Sequence, residues 1–347
     1  MHHIGMTENF NNFNSDGQPG IVSGPPVAHT KRHEDAAKFC APIALFVYNR
    51  PDHTRQTITA LQANAFARES DLFIYSDAPK DEVANAQVHS VRRYIKNIDG
   101  FRSVTVIERE RNWGVDPSII DGVTTLCDRY GRVIVLEDDL VTSPWFLTYM
   151  NRGLALYEGD ERVMQISGFM FPLRAFQENT ACFLPYSTCW GWATWKASWT
   201  RFDPSASGFN ILKSDSKKRA AFNLNGAYDY FDLLRQYFDK KNDAWDIRWY
   251  LSVFLNNGLS LFPQKSLVRN IGFDGSGVHC PLSDFPGDEV ATQPIEHFPM
   301  VEHNNEVWKE VHHYLNGQKE PLYRKFRHSM SRVIRRLGLS AEKSVTI

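Results

Sequence analysis

The chain is short of net charge. Across 347 residues, 39 Lys and Arg stand against 40 Asp and Glu, a formal balance of -1. Such a balance gives no global attraction to nucleic acid, so any electrostatic function has to be local. Cysteine is sparse as well. Cys40, Cys127, Cys182, Cys189 and Cys280 form no CxxC pair and no His/Cys spacing, and an odd total of 5 argues against a disulfide framework or a zinc site and for a reducing compartment. No apolar run approaches bilayer-spanning length, and the polar, Asn-rich opening has no signal-peptide core. A cytoplasmic protein is therefore expected. There is no internal repeat. Apolar residues, in contrast, make up 42%, enough for one large core or two modest ones, and much of the aromatic content gathers in "CWGWATWKASW" at 189–199.

Residues 1–40, rich in Asn, Gly, Pro and Ser without apolar periodicity, read as a disordered tail. From "APIALFVYNRP" onward, short apolar strands alternate with amphipathic helical stretches: a helix from Asp52, "DLFIYSDAP", "DEVANAQVHSVRRYIKNI", "SVTVIERE", "DPSIIDGVTTLCDRY", "RVIVLEDD". That alternation predicts βαβ units, an α/β fold and a mostly parallel sheet flanked by helices, with the strand C-termini along one edge. Ligands bind at that edge in open α/β sheets. Three strands end there in polar or charged residues: Asn49-Arg50, Asp77 and Glu137-Asp138-Asp139. Past Ser143 a helix, a strand "RVMQISGF", the Trp cluster and helical stretches around 228–239 and 243–256 follow. A domain over 41–318 is expected, with a nucleotide-sugar half at 41–142 and an acceptor-side half at 143–318.

Glu137, Asp138 and Asp139 follow the apolar run Val133-Ile134-Val135-Leu136. Three adjacent carboxylates repel one another, and burying one unpaired costs several kcal/mol, so a cation is called for. Hard carboxylate oxygens suit Mg²⁺ or Mn²⁺, ions that complete their shells with phosphate oxygens. A solvated acidic turn is the alternative.

The motifs "PIALFVYNRP", "FIYSDAP", "RNWG", "VIVLEDDL", "CWGWATW", "AWDIRW" and "LVRNIGFDGSGVHC", spread over most of 41–280, together resemble the nucleotide-sugar-dependent GT-A glycosyltransferases. The chain is most similar to the eukaryotic N-acetylglucosaminyltransferase that initiates hybrid N-glycans and to bacterial family 2 type enzymes. The resemblance implies an inverting, Mn²⁺- or Mg²⁺-dependent hexosyl- or N-acetylhexosaminyltransferase. It would use a UDP-sugar donor and a glycan or lipid-linked acceptor, in surface polysaccharide synthesis. It places Arg50 near the donor phosphates or sugar, Asp77 at the uracil ring with Asn112 among the donor contacts, and Asp139 on the metal. Glu137 and Asp138 then flank it toward ribose or donor sugar, Asp246 is the catalytic base, and the segment holding Gly275 and Ser276 closes over the donor. Two departures stand out: the eukaryotic membrane anchor has no counterpart here, and that family's W-D-D-W is Trp245-Asp246-Ile247-Arg248-Trp249 in this chain.

The residues also admit plainer roles. Asp246 is a candidate base in an apolar setting between tryptophans, or else a helix cap or a partner for Arg248. Asp77 is a donor contact or the cap of the helix after "APK", and Arg50 a donor contact or a partner for a surface carboxylate. Trp190 and Trp192 are candidates for sugar stacking, against core packing. "GFDGSGVHC" offers a hinge or anion-cradling turn, with His279 as a tentative metal or diphosphate contact against a solvent-facing His. Residues 319–347 read as a basic amphipathic helix and tail, either held at an anionic membrane, giving peripheral attachment at its inner face, or docked on the protein's own core. Competing functions are a nucleotidyltransferase acting on sugar phosphates, disfavoured by the glycine-free "NRPDHT" after the first strand, and an inactive carbohydrate-binding protein.

Overall fold

The computed structural model describes residues 40–174, 178–241, 245–274 and 289–317. The expected tail at 1–40, except for Cys40, and the basic segment at 319–347 lie outside the described residues, as do Gly275, Ser276 and His279.

The first half is built of β1 (Ile43–Val47), α1 (Pro51–Gln62), β2 (Asp71–Ser76), α2 (Glu82–Ile95), β3 (Ser103–Glu108), α3 (Val115–Tyr130) and β4 (Arg132–Glu137). Each boundary has a local cause. Pro51 opens α1, where its fixed φ suits the helix and its missing N–H costs nothing, and Thr54 Oγ1 donates to the Arg50 carbonyl at 2.8 Å. Asp81 caps α2 by accepting from the Ala84 amide at 3.0 Å. Gly131, at φ 76, ends α3 with its amide on the Cys127 carbonyl and turns the chain directly into β4.

After β4 come β5 (Leu140–Thr142), α4 (Phe146–Leu156), β6 (Val163–Ser167), β7 (Ala181–Leu184), β8 (Trp192–Trp195) and α5 (Lys196–Trp199). Four helices follow, α6 (Phe209–Ser214), α7 (Ser216–Phe222), α8 (Tyr230–Phe238) and α9 (Trp245–Leu255), then β9 (Leu259–Pro263), β10 (Val268–Asn270) and α10 (Asn305–Gly317). Eight strands form one sheet in the order β3-β2-β1-β4-β8-β6-β9-β7, and β5 pairs with β10 in a separate two-stranded sheet.

The parallel expectation holds for β3-β2-β1-β4 and for β6-β9, while β8 and β7 enter antiparallel. Strand periodicity puts alternate residues on opposite faces. Ile43, Leu45, Val47, Ile134 and Leu136 accordingly join one apolar cluster, and Ala44, Phe46, Val133 and Val135 join another across the sheet. Both faces are covered, which is why these strands read as continuous apolar runs. The chain leaves β1 toward β2 on one side and reaches β4 on the other, so the order reverses at β1/β4 and opens a crevice at their C-terminal ends.

Most of the Trp cluster is core. Trp192, Trp199, Trp245 and Trp249 pack with centroids 5.2 to 6.0 Å apart. Two of their polar edges are satisfied internally: Trp199 Nε1 donates to Thr124 Oγ1 at 2.9 Å and Trp249 Nε1 to Gln165 Oε1. Cys40, Cys127, Cys182 and Cys189 are free and buried. No helix among the described residues is long and apolar enough to cross a membrane.

Arg248, on α9, turns into the protein. It pairs with Asp116 in the first turn of α3, donates to the Pro204 carbonyl at 2.8 Å and lies over the Tyr237 ring. Asp116 also accepts from the Trp245 amide at 3.1 Å, so this pair fixes the start of α9. Removing one partner leaves a buried charge uncompensated: Asp116→Ala is expected to lower unfolding stability by about 3–5 kcal/mol, and Asp116→Leu combined with Arg248→Met to recover most of it. Urea denaturation midpoints of the wild type and the two variants check this.

Candidate active site

The crevice at the β1/β4 switch point collects the charged residues of two strand ends. β1 delivers Arg50 through Tyr48-Asn49, and β4 delivers Glu137, Asp138 and Asp139. The parallel register pairs Phe46 with Glu137, which puts the two exits side by side. Arg50 is thereby held between two carboxylates: its Nη2 pairs with Asp138 and lies 2.9 Å from Asp139 Oδ2. The surface carboxylate considered as its partner is replaced by this buried pair.

The backbone around the carboxylates is held from three directions. Thr57 on α1 donates its hydroxyl to the Asp138 carbonyl at 2.8 Å. The Tyr48 amide reaches Asp138 Oδ2 at 3.4 Å. From β10, the Ile271 amide donates to the Asp139 carbonyl at 2.8 Å. The β5/β10 sheet, pairing Leu140 with Asn270, is what brings Ile271 and Gly272 to this place. A Cβ at Gly272 would collide with Asp139 Oδ2 and come 3.1 Å from Arg50 Nη1, so only glycine lets the chain pass there. His53 on α1 fastens the same segment, with Nε2 3.2 Å from the Ile271 carbonyl and 3.3 Å from Asp274 Oδ2.

Electrostatically the site holds more negative charge than Arg50 balances. Burial, then Asp139, Asp138 and Asp246, push Glu137 up to about 8 against the opposing pull of Arg50. Burial also raises Asp138, which Arg50 partly offsets. Burial works against the charge of Arg50, yet Asp138 and Asp139 outweigh it and hold the guanidinium firmly protonated. Asp246 thus reaches this cluster from the opposite half of the chain. It sits in the first turn of α9, exposed, its Oδ1 accepting from the Ile247 amide at 2.9 Å. Its neighbours include Glu137, Cys189, Tyr228 and Tyr230, all of which feel its charge.

Among the described residues no three His, Cys, Asp or Glu side chains are grouped to hold an ion. The donor chemistry nevertheless fits Mg²⁺ or Mn²⁺, which bind through one or two carboxylates when phosphate oxygens and water complete the shell. Asp139, the ion ligand expected from the sequence resemblance, stands in the crevice with Glu137 and Asp138 beside it. The crowding that raises Glu137 is what a cation relieves.

Asp77 and Asn112 have structural work of their own. The Asp77 carboxylate accepts from the amides of Trp113 at 2.9 Å, Gly114 at 2.8 Å and Ala78 at 2.9 Å, and from Asn112 Nδ2 at 3.1 Å. It therefore clamps the β3–α3 loop; the cap of α2 belongs to Asp81 instead. Beside this loop an open groove of about 490 Å³ runs past Glu108, Arg109 and Trp113. Arg109 stacks over the Trp113 ring at 3.9 Å. Trp192 is 1% exposed, so its ring belongs to the core and has no free face for a sugar. Trp190 remains half-buried, edge-on to Phe169 at 4.6 Å and to Phe273 at 5.6 Å, on the side of Gly272. Thr57 and His53 carried no recognisable signal in the sequence, since their partners lie far along the chain.

No protein-family model matches the chain, and no curated protein does. Among solved structures it is similar to S. aureus TarS 1–349, at 13% identity and TM-score 0.37, over 67% of this chain and 61% of that one. The same protein in complex with UDP-GlcNAc is similar at 12% identity and TM-score 0.36, over 65% and 57%. So is the mannosyltransferase PcManGT from Pyrobaculum calidifontis in complex with GDP-Man and Mn²⁺, at 12% and 0.36, over 64% and 74%. The chain thus spans about three fifths of the length of TarS 1–349.

The collision at Gly272 is testable without any ligand. Gly272→Ala is expected to cost about 1–3 kcal/mol, the usual scale of overpacking, and clearly less in an Asp139→Ala background where the obstructing carboxylate is gone. A double-mutant cycle by denaturation measures the coupling.

Proposed function

We propose that the chain is an inverting, metal-dependent GT-A-type glycosyltransferase that moves a sugar from a UDP-sugar to a hydroxyl of a glycan or lipid-linked acceptor. One juxtaposition carries this reading. Asp246, from the helical second half, stands close enough to the strand-end carboxylates to raise the proton affinity of Glu137. A carboxylate cluster suited to a cation and a separate exposed carboxylate therefore act on one another across the two halves of the chain, which supports a shared site. The sequence resemblance assigns these residues the same division of labour.

In this reading the donor lies along the C-terminal edge of β1 and β4, its diphosphate toward Asp139 and Arg50. Asp139 would hold a divalent cation, which would supply neutralisation of the charge on the departing diphosphate. Asp77 and Asn112 act on the nucleotide side by holding the 112–114 loop. Asp246 accepts the acceptor hydroxyl proton as that oxygen attacks the anomeric carbon. The bond to the UDP oxygen breaks on the opposite face, so configuration inverts and the proton is left on Asp246. Arg248 does not neutralise this base from the adjacent position, because its guanidinium is engaged with Asp116.

A thermal-shift panel of UDP-, GDP- and dTDP-sugars with and without Mn²⁺ tests the donor half, since a ligand that binds the native state raises apparent stability. Stabilisation is expected with the UDP-sugar and Mn²⁺ together, and Asp139→Ala is expected to abolish the Mn²⁺-dependent part while the protein still unfolds cooperatively. A variant that kept full Mn²⁺ dependence would remove Asp139 from the site. Asp246→Asn is expected to keep the stabilisation but to lower UDP formation by roughly two to four orders of magnitude, the scale of a lost general base. Equal loss of binding and turnover would make Asp246 a structural residue.

A further inference from the structure

One exposed aromatic residue at the edge of this site is presented by an unusual backbone. Leu224, Asn225 and Gly226 all have positive φ, at 48°, 50° and 87°. That region is open to glycine, tolerated by asparagine and ordinarily closed to leucine. The turn is held from both ends. Leu224 is 1% exposed and anchored in the same apolar cluster as Phe222. Asn223 donates from Nδ2 to Asp229 Oδ1 at 2.8 Å and accepts the Phe231 amide on Oδ1 at 2.8 Å, and Asp229 in turn caps α8. Strain that persists because its surroundings over-determine it tends to mark functional sites. The residue this turn presents is Tyr228, 44% exposed.

The position of Tyr228 follows from a series of edge-on and tilted ring contacts. Tyr250 on α9 packs against Tyr230 at 5.0 Å, and Tyr230 against Tyr228 at 4.6 Å. Tyr250 lies four residues after Asp246, so both side chains project from one face of α9, and helix side chains lean toward the N-terminus. The series of ring contacts therefore starts on the face of α9 that carries Asp246 and ends at Tyr228. Consistently, Asp246 adds to burial in raising the Tyr228 phenol.

We propose that Tyr228 is the stacking platform of the acceptor subsite, receiving the apolar CH face of a pyranose ring while Asp246 meets a hydroxyl at its edge. A flat apolar face beside a hydrogen-bonding carboxylate is complementary to an amphipathic ring, apolar on its faces and polar around its rim. Trp192, a candidate for this role by sequence, is core, and Trp190 is wedged between Phe169 and Phe273 beside Gly272. The inference rests on the glycosyltransferase reading for the role of Asp246, but the geometry of the ring contacts is independent of it.

The test uses saturation-transfer NMR on the full chain with Mn²⁺, UDP and three simple probes: hexyl β-glucoside, hexyl β-galactoside and hexyl β-N-acetylglucosaminide. At least one glycoside is expected to be saturated by the wild-type protein. Its apparent affinity is expected to fall about tenfold or more in Tyr228→Ala, the loss due to re-exposing one ring face, and to be kept in Tyr228→Phe. UDP signals are expected to be unchanged across all three proteins. Absence of glycoside saturation in the wild type, or equal saturation in Tyr228→Ala, overturns the inference. Glycoside binding that depends on Tyr228 without any UDP binding would uphold the saccharide subsite and overturn the transferase reading. An unchanged unfolding midpoint for Tyr228→Ala verifies that the loss is local.

Discussion

The site depends on one half-buried guanidinium. Arg50 stands between Asp138 and Asp139 at the point where the order of the sheet reverses. Two buried carboxylates one residue apart would otherwise share a proton or force the strand end open, because neither burial nor mutual repulsion favours their charge. With Arg50 in place both are ion-paired and fixed in direction. The third carboxylate, Glu137, has no comparable compensation and is pushed up to about 8. The outcome is a small electrostatic unit that holds more carboxylates than Arg50 pairs with.

That unit is only as rigid as the packing that presents it. β1 and β4 run parallel in a sheet covered on both faces, so their exits cannot slide past one another without disturbing two apolar clusters. Thr57, His53 and the β5/β10 pairing tie α1 and the segment around Gly272 to the same carboxylates. On the far side of the crevice the Asp116–Arg248 pair performs the equivalent task for α9: it anchors the amide of Trp245 and leaves Asp246 projecting outward. Two halves of the chain thus bring their carboxylates together through separate buried ion pairs. Burying such pairs is a poor route to stability, since desolvation consumes much of the Coulombic gain. Their value here is positional.

Much of the first half was legible from residue order, because its signals are local. Apolar runs of strand length, Pro51 at a helix start, Asp81 three residues before Ala84, and Gly131 between α3 and β4 each act within a few residues. The second half was harder to read. "WATW" left sugar stacking and core packing both open and is the strand β8, inserted antiparallel between β4 and β6. Its tryptophans face inward, and nothing local distinguishes a ring that packs from a ring that binds.

What the sequence by itself determined about this protein is therefore the parallel βαβ half and the three carboxylates at the end of one apolar strand, since periodicity, capping and charge repulsion operate between near neighbours. Only the tertiary structure decided their partners. Arg50 and Asp138 lie 88 positions apart, and Asp116 and Arg248 lie 132 apart. Which cation meets which carboxylate is set by strand order and helix docking. The same holds for Asp77, which the fold turned toward the 112–114 amides, and for Tyr228, joined to α9 through the Tyr230 and Tyr250 rings. These are contacts whose free energy exists only once the sheet has closed the distance.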